Sequence, residues 1–357
     1  LDLRCVTLND GEEDYTNYIN QLTQLEYLNL SNTNVTDLNK LDKLVNLISL
    51  DMFLGSLSSM DGLSAFNKLK HLDLSENNIN NINDIINIPP QLMTMNLANN
   101  RITDIAIFSN HDNLEEINLE NNELTEITET LELPNLLNLD LSNNHLVDIS
   151  GLSGLPSLET LNLRLNKLVQ ISNQLLIPKL TMLELQMNDL NVITGLSSLS
   201  QLNTLNLSHN EISDITPLPQ LLNLKHLNLY NNNVTEISST LNMPLLESLN
   251  LRLNDIDNIT WATALTSIQD LDLQQNQIIN ISEITELTTL KSLNLSFNNL
   301  ETVEPILNLT QMTWLNLKDN VVVPCEEYES LIEKLDEAEI LTDPLYWPNC
   351  SNFTNSE

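Results

Sequence analysis

One line recurs fourteen times along this chain: Leu-x-x-Leu-x-Leu-x-x-Asn-x-(Ile/Leu/Val)-x-x-(Ile/Leu). It opens at Leu25, Leu47, Leu69, Leu92, Leu114, Leu136, Leu158, Leu180, Leu202, Leu224, Leu246, Ile268, Leu290 and Met312. Every step is 22 residues except one of 23, which contains Pro89 and Pro90. A unit this short cannot bury its apolar face alone, so a fixed period demands that successive units stack into a solenoid. The 357 residues therefore need not split into two domains, because a solenoid buries its core coil by coil. The expected fold class is an α/β repeat: a parallel sheet on one side, a 3₁₀ or irregular return path on the other, and helical caps.

The repeat at Leu136 shows how each residue type serves that architecture. Leu139 and Leu141 are two apart and share one face of a short strand, while Asn138, Asp140 and Ser142 alternate outward. Asn144 follows where the chain turns. Its amide donates and accepts at once, so it suits backbone groups that the turn leaves unpaired. Twelve of the fourteen repeats keep this Asn; Thr33 and Gly55 replace it in the first two. The return path is apolar at every third residue (Ile149, Leu152, Leu155, Leu158), the spacing of a tight 3₁₀-like arc. Some return paths carry Gly, as at Gly151 and Gly195, and others place Pro before the next repeat, as at Pro134, Pro178 and Pro244.

The expected organisation is an amino-terminal cap over 1–24, a solenoid over 25–320 and a carboxy-terminal cap over 321–357. Glu12-Glu13-Asp14 predicts the start of a helix running through Tyr15, Tyr18, Ile19 and Leu22, with acids at its positive end. Pro324 predicts a second helix with Tyr328, Leu331, Ile332 and Leu335 on one face, and Tyr346 and Trp347 packed under it.

Apolar residues make up 41% of the chain but aromatics only 4%, so the core must be built from Leu and Ile. Forty-nine acids against 14 bases give a net charge of −35. Nucleic acid is disfavoured because binding it requires bases to neutralise phosphates, and an anionic membrane is disfavoured for the same reason. The charge suits either plain solubility or a basic partner. No apolar run is long enough to span a bilayer. The chain opens at Leu1 rather than Met, consistent with a removed leader or with a boundary set elsewhere. None of Cys5, Cys325 and Cys350 lies in a Cys-x-x-Cys pair. A Cys325–Cys350 bridge would close a loop of roughly 25 residues, worth about 3 kcal/mol, and would imply an oxidising compartment.

No catalytic or metal-binding constellation emerges, and no enzyme activity or cofactor is expected. His71, His111, His145, His209 and His226 show no metal-ligand spacing. With six Gly there is no phosphate-cradling loop, and residues 9–14 lack the alternation of a calcium loop. Glycosylation sequons such as Asn206 and Asn294 are numerous, but 55 Asn supply many by chance.

The lines Leu136–Asn144 and Leu202–Asn210 resemble leucine-rich repeats. The 22-residue period is similar to the class shared by bacterial internalins and the repeat-built regulatory subunit of phosphatase-1. The resemblance covers about residues 22–322. It implies a curved right-handed solenoid that binds proteins on its concave face, without naming a partner. Pro324-Cys325, the acidic helix and the closing Cys350 resemble the two-cysteine caps of secreted and surface leucine-rich repeat proteins. Neither the phosphatase regulator's cap nor the immunoglobulin-like segment of internalins is recognised in residues 321–357.

Two features of the sheet face stand out. Its central column is a ladder of acids and amides, among them Asp51, Asp73, Asp140 and Glu184, as a generic repeat would give. Certain strand ends depart from Ser-x-Asn: Phe53-Leu54, Arg164-Leu165, Gln186-Met187, Tyr230, Arg252-Leu253, Phe297 and, near the far end, Trp314. These residue types concentrate at binding hot spots, although drift or local packing would also place them there. Leu165 and Met187 fall on consecutive repeats, where they would make one apolar spot. The acid-rich fifth repeat (Glu115, Glu116, Glu120, Glu123, Glu126, Glu129, Glu132) reads as a solvated face. The expected function is non-catalytic recognition of a protein, outside the cell or on its surface. The alternatives are an intracellular phosphatase-regulator-like scaffold and self-assembly of the chain with its own copies.

Overall fold

The computed structural model describes residues 1–8, 16–80, 88–171, 173–238, 242–320, 323–335 and 338–342. Fifteen strands of three residues follow one another in chain order, all parallel. The chain forms two compact units.

The first unit comprises Leu1–Leu168 and Leu175–Glu184. It carries β1 (Tyr27–Asn29), β2 (Ser49–Asp51), β3 (His71–Asp73), β4 (Thr94–Asn96), β5 (Glu116–Asn118), β6 (Asn138–Asp140), β7 (Thr160–Asn162) and β8 (Met182–Glu184). The register aligns the central residues Leu28, Leu50, Leu72, Met95, Ile117, Leu139, Leu161 and Leu183. All eight are buried, so the period-two alternation read in the repeat becomes a continuous apolar column. The 23-residue step leaves this register intact, with His71 still opposite Thr94.

The second unit comprises Val169–Gln174 and Leu185–Glu357. It carries β9 (Thr204–Asn206), β10 (His226–Asn228), β11 (Ser248–Asn250), β12 (Asp270–Asp272), β13 (Ser292–Asn294), β14 (Trp314–Asn316) and β15 (Glu339–Leu341). The last of these departs from the sequence expectation. Three residues after the cap helix add one more parallel strand to β14, with the Leu317 amide donating to Leu341 O at 2.8 Å. The extra strand covers an edge that would otherwise expose unpaired backbone groups.

The repeat Asn locks one coil to the previous one. Asn144, 3% exposed, donates through Nδ2 to Leu119 O (2.9 Å), Leu141 O (3.0 Å) and Ser142 O (3.1 Å), and its Oδ1 accepts the Leu124 amide (3.1 Å). The same pattern recurs at Asn122 and Asn166 in the first unit and at Asn210, Asn254 and Asn298 in the second. In the first repeat Thr33 supplies a partial substitute, donating its hydroxyl to Leu30 O at 2.6 Å.

Return paths take two forms, as the Gly and Pro variants suggested. Ser150–Gly154 and Thr194–Ser198 are 3₁₀ segments. Described residues of the preceding paths, leading to Pro134 and Pro178, contain no 3₁₀ turn and instead run extended beside them, bridging Glu126 to Asp148 and Gln170 to Val192.

Both caps depart in detail from expectation. The helix α1 spans only Thr16–Ile19, and residues 9–15 lie outside the described residues. Ile19 is buried, but Tyr18 and Leu22 are exposed: the chain leaves the helix after Ile19, too early to form a second apolar turn. Residues 1–5 do something the sequence reading missed. They pair with β1 in the manner of a preceding coil, Asn29 N donating to Leu1 O and Leu3 N to Asn29 O, each at 2.9 Å. At the other end α2 (Cys325–Lys334) buries Tyr328, Leu331 and Leu335 but leaves Ile332 exposed, so three of the four expected residues face the core. Burial, with the nearby Glu327 charge, pushes the Tyr328 phenol up to about 12. Glu327 ties the helix to the last repeat by accepting from the Thr302 hydroxyl (2.8 Å) and the Val303 amide (2.7 Å). Tyr346, Trp347, Cys350 and the Cys325 side chain lie outside the described residues. Cys5 is free and exposed. No helix among the described residues is long and apolar enough to cross a membrane.

Candidate functional site

Each strand ends in the same backbone device. The residue seven positions after the repeat opening lies in the left-handed region in all fourteen repeats, with φ between 53° and 59°. Nine of these positions hold Asn, Asp, Glu, Gln or His, and side chains there link neighbouring coils: Asn121 donates to Asn99 Oδ1 (2.6 Å) and Asn143 to Asn121 Oδ1 (2.9 Å). Five hold apolar residues instead: Leu54, Leu165, Met187, Leu253 and Phe297. A left-handed non-Gly residue costs about 1–2 kcal/mol, and Asn and Asp tolerate it best. Leu54, Met187 and Phe297 are nearly half exposed (47%, 45% and 47%), Leu165 is 37% exposed, and Leu253 is half-buried. These side chains thus gain little burial to offset the strain.

The preceding position carries a second cost at the same places. Among the described residues four buried side-chain polar atoms lack a hydrogen-bond partner, and three of them are Arg164 Nε, Gln186 Oε1 and Arg252 Nε. Each belongs to one of the strand ends singled out in the sequence. A buried polar group without a partner costs about 1–3 kcal/mol. Arg164 does make a long ion pair with Glu120 (3.9 Å). In the second unit the Arg252 guanidinium sits 5.4 Å from the Tyr230 ring centroid, and His209 packs edge-on with Tyr230 at 4.7 Å between ring centroids. His209 was not singled out in the sequence. Its signal was its place in the left-handed column, where Asn231 Nδ2 reaches its Nδ1 at 2.8 Å. Phe53 is half-buried beside Leu54, and Trp314 is half-buried at the start of β14. Leu165 belongs to the first unit and Met187 to the second.

The acid/amide column has a local structural duty. Asp140 Oδ1 accepts both the Ser142 amide (2.9 Å) and its hydroxyl (2.6 Å), which closes the strand end. The same backbone bond recurs at Asp73, Asn118, Asn206, Asn250 and Asp272. Asn162 then donates across to Asp140 Oδ2 (2.9 Å), and Asn96 to Asp73 Oδ2 (3.2 Å), so amides support the carboxylates beside them. Asn206 and Asn294 are held through Oδ1 by Ser208 and Ser296, and Asn294 is 8% exposed, which leaves a sequon there little room for a glycan.

Within the first unit the sheet face sinks into a trough of about 540 Å³ across β2 to β8. Asp51, Asp73, Glu116, Asp140 and Glu184 line it, with no Lys or Arg. Burial first, and the charge of Asp73 second, push the Asp51 carboxyl above its ordinary value.

Burial likewise raises Asp272 in the second unit, against opposing bonds from Gln274 and Asn294. A carboxyl raised in the folded state stabilises the fold below its unfolded value, and that contribution is lost as pH rises through the folded value. Asp272→Asn, which keeps an oxygen for the Gln274 amide, is therefore expected to raise the urea midpoint at neutral pH. The gain should shrink as the pH falls through the raised folded-state value and be gone below the usual carboxylate range.

Family models described as leucine-rich repeat match residues 90–146, 201–221, 223–243 and 289–312, and one described as two copies of the repeat matches residues 134–175. The repeats are thus leucine-rich repeats, and the fold is the leucine-rich repeat solenoid. A leucine-rich repeat protein of Leptospira interrogans is similar at 26% identity and a TM-score of 0.73, covering 95% of this chain and 94% of that one. An internalin of Listeria monocytogenes is similar at 25% identity and 0.67, with the same coverage. A plant peptide hormone receptor in complex with its peptide shares the fold at 22% identity and 0.69, over 91% of this chain and 59% of that one. No curated protein sequence matches. The fold is that of a protein-binding repeat scaffold, a class typically without catalysis.

Proposed function

We propose that the chain is a non-catalytic recognition protein, secreted or displayed on a cell surface, that holds a protein partner on its concave sheet face. The contact residues assigned are Phe53, Leu54, Arg164, Leu165, Gln186, Met187, Tyr230, Arg252, Leu253, Phe297 and Trp314. One observation carries this reading: strained apolar residues and unpaired buried polar atoms coincide at Arg164-Leu165, Gln186-Met187 and Arg252-Leu253. Local costs that stand where half of the repeats use Asn, Asp or His, which tolerate this backbone better, favour a role outside stability. A Cys325–Cys350 bridge closing the cap, as the resemblance of Pro324-Cys325 and Cys350 to two-cysteine caps implies, belongs to the same proposal; mass spectrometry after alkylation without reductant should find both thiols blocked. Reactive thiols at both positions would favour an intracellular scaffold.

The test of the site uses Leu165→Asn with Leu253→Asn on the intact chain. Each change relieves left-handed strain, so the unfolding free energy from urea titration should rise by about 1 kcal/mol per site. Capture of protein partners by the immobilised chain should nevertheless weaken at least about tenfold in affinity, about 1.4 kcal/mol. A loss of binding alongside a gain in stability excludes damage to the fold as its cause. Unchanged capture removes these residues from the site, and concentration-dependent light scattering abolished by the same changes would assign the face to self-association.

A further inference from the structure

We propose that the β2–β8 trough of the first unit seats an extended cationic segment of the partner, with lysines or arginines spaced to the trough's carboxylates. This rests on the recognition reading above and names the chemistry of what is recognised. Charge complementarity decides the occupant. Five carboxylates line the trough and no Lys or Arg does. Among the described residues none of these carboxylates makes an ion pair. Their hydrogen bonds come from neutral donors: the Ser75 hydroxyl and Asn96 for Asp73, the Ser142 hydroxyl and Asn162 for Asp140, and Asn29 for Asp51. Neutral donors fix the carboxylates in place without pairing their charge, although Arg4 acts on Asp51 from nearby. At Asp51 burial, more than the neighbouring Asp73 charge, raises the carboxyl.

The spacing limits the occupant further. Seven strands at about 4.8 Å span roughly 29 Å, the length of about nine extended residues at ~3.3 Å each. Asp51 and Asp73 lie on adjacent strands, opposite one another in register. Asp140 follows three strands after Asp73, about 14 Å away, and Glu184 two strands after Asp140, about 10 Å. Glu116 stands on the strand beside Asp140. Cations at about the first, fifth and eighth residues of a crossing segment meet all three groups. Between them Thr94, Thr160 and the 39% exposed Met182 give small and adaptable contacts.

The probe is a fluorescent nine-residue peptide of Ser and Thr with Lys at its first, fifth and eighth residues, titrated at low salt into the full chain. Saturable one-to-one binding is expected, weakened about tenfold or more by Asp51→Asn with Asp140→Asn, and by salt. Glu126→Gln with Glu129→Gln, exposed residues on the return path of the fifth repeat, removes the same charge elsewhere and should change affinity less than about twofold. Equal weakening by both pairs, or none by either, overturns the trough assignment. Thermal unfolding of each variant separates loss of the site from loss of the fold. If the strand-end variants lose partner capture while the trough pair alters neither peptide nor partner binding, the cationic-segment inference fails and the recognition reading stands.

Discussion

Asn144→Ala is expected to destabilise the first unit by about 3–4 kcal/mol, more than any surface change in the same coil. The replacement removes four hydrogen bonds at a residue 3% exposed to solvent. The four losses are unequal. Leu119 O is shared with Asn122 Nδ2, Leu141 O with Asn166 Nδ2, and Ser142 O with the Asn121 amide. Each carbonyl thus keeps one donor. The Leu124 amide has Oδ1 of Asn144 as its acceptor and is left buried and unmet. Most of the cost should therefore appear as lost protection of the Leu124 amide in hydrogen exchange, together with a lower urea midpoint. The sharing also predicts coupling: Asn144→Ala with Asn166→Ala strips Leu141 O of both donors, so the pair should cost more than the sum of its parts. Asn143→Ala, one residue earlier and exposed, loses one bond to Asn121 and the tolerance of Asn for its left-handed backbone, and should cost about 1–2 kcal/mol. Equal effects at Asn143 and Asn144 would defeat this account of the repeat.

The Asn column was legible in the sequence because its chemistry is local and repeated: a single residue type, at a fixed step, serving the same backbone groups. The fourteen strands were legible for the same reason. β15 was not, since Glu339-Ile340-Leu341 carries too few residues to show a period, and its pairing is set by the edge that β14 presents. Nor was the role of residues 1–5, where Leu1 and Leu3 hold the strand positions of a coil whose other half is missing from the pattern. The left-handed column was half legible. Asn at Asn99, Asn121 and Asn143 hints at φ above zero, but Leu54 or Phe297 alone would argue against it. There the stacked coils override the preference of the individual residue. The strand-end departures were visible as oddities of composition; that they are also strained and carry unpaired polar atoms required the backbone. The trough was hidden because the acid/amide column looks generic: the repeat sets Asp51, Asp73, Asp140 and Glu184 on one face, but that this face sinks there, with Glu116 beside them, required the structure.

Gly151→Ala is expected to cost about 3 kcal/mol, although Gly151 asks for no conformation forbidden to alanine. Among the described residues only Gly62 is a glycine with positive φ, so the usual reason for glycine in a turn does not apply at Gly151. The reason is room. A methyl group there would fall against the Glu129 carbonyl oxygen and within 2.8 Å of Ile127 O. Both belong to the extended return path that leads to Pro134. That path cannot retreat easily, because Ile127 N is bonded to Asp148 O (2.8 Å), Leu131 N to Gly151 O (3.1 Å), and Gly151 N itself to Ile127 O (2.7 Å). At this place the two kinds of return path are therefore complementary: the extended coil leading to Pro134 packs so closely on its successor that the successor needs glycine, whereas after the coil leading to Pro244 the same position holds buried Trp261. Gly195 repeats the arrangement in the second unit, against Asn173 O and Ile171 O, after the path leading to Pro178. Gly195→Ala should match Gly151→Ala in size, whereas Ser150→Ala, exposed beside Gly151, should change the unfolding free energy by less than about 0.5 kcal/mol. A tolerated alanine at both glycines would show that the coils can part without loss, and that glycine marks only the turn.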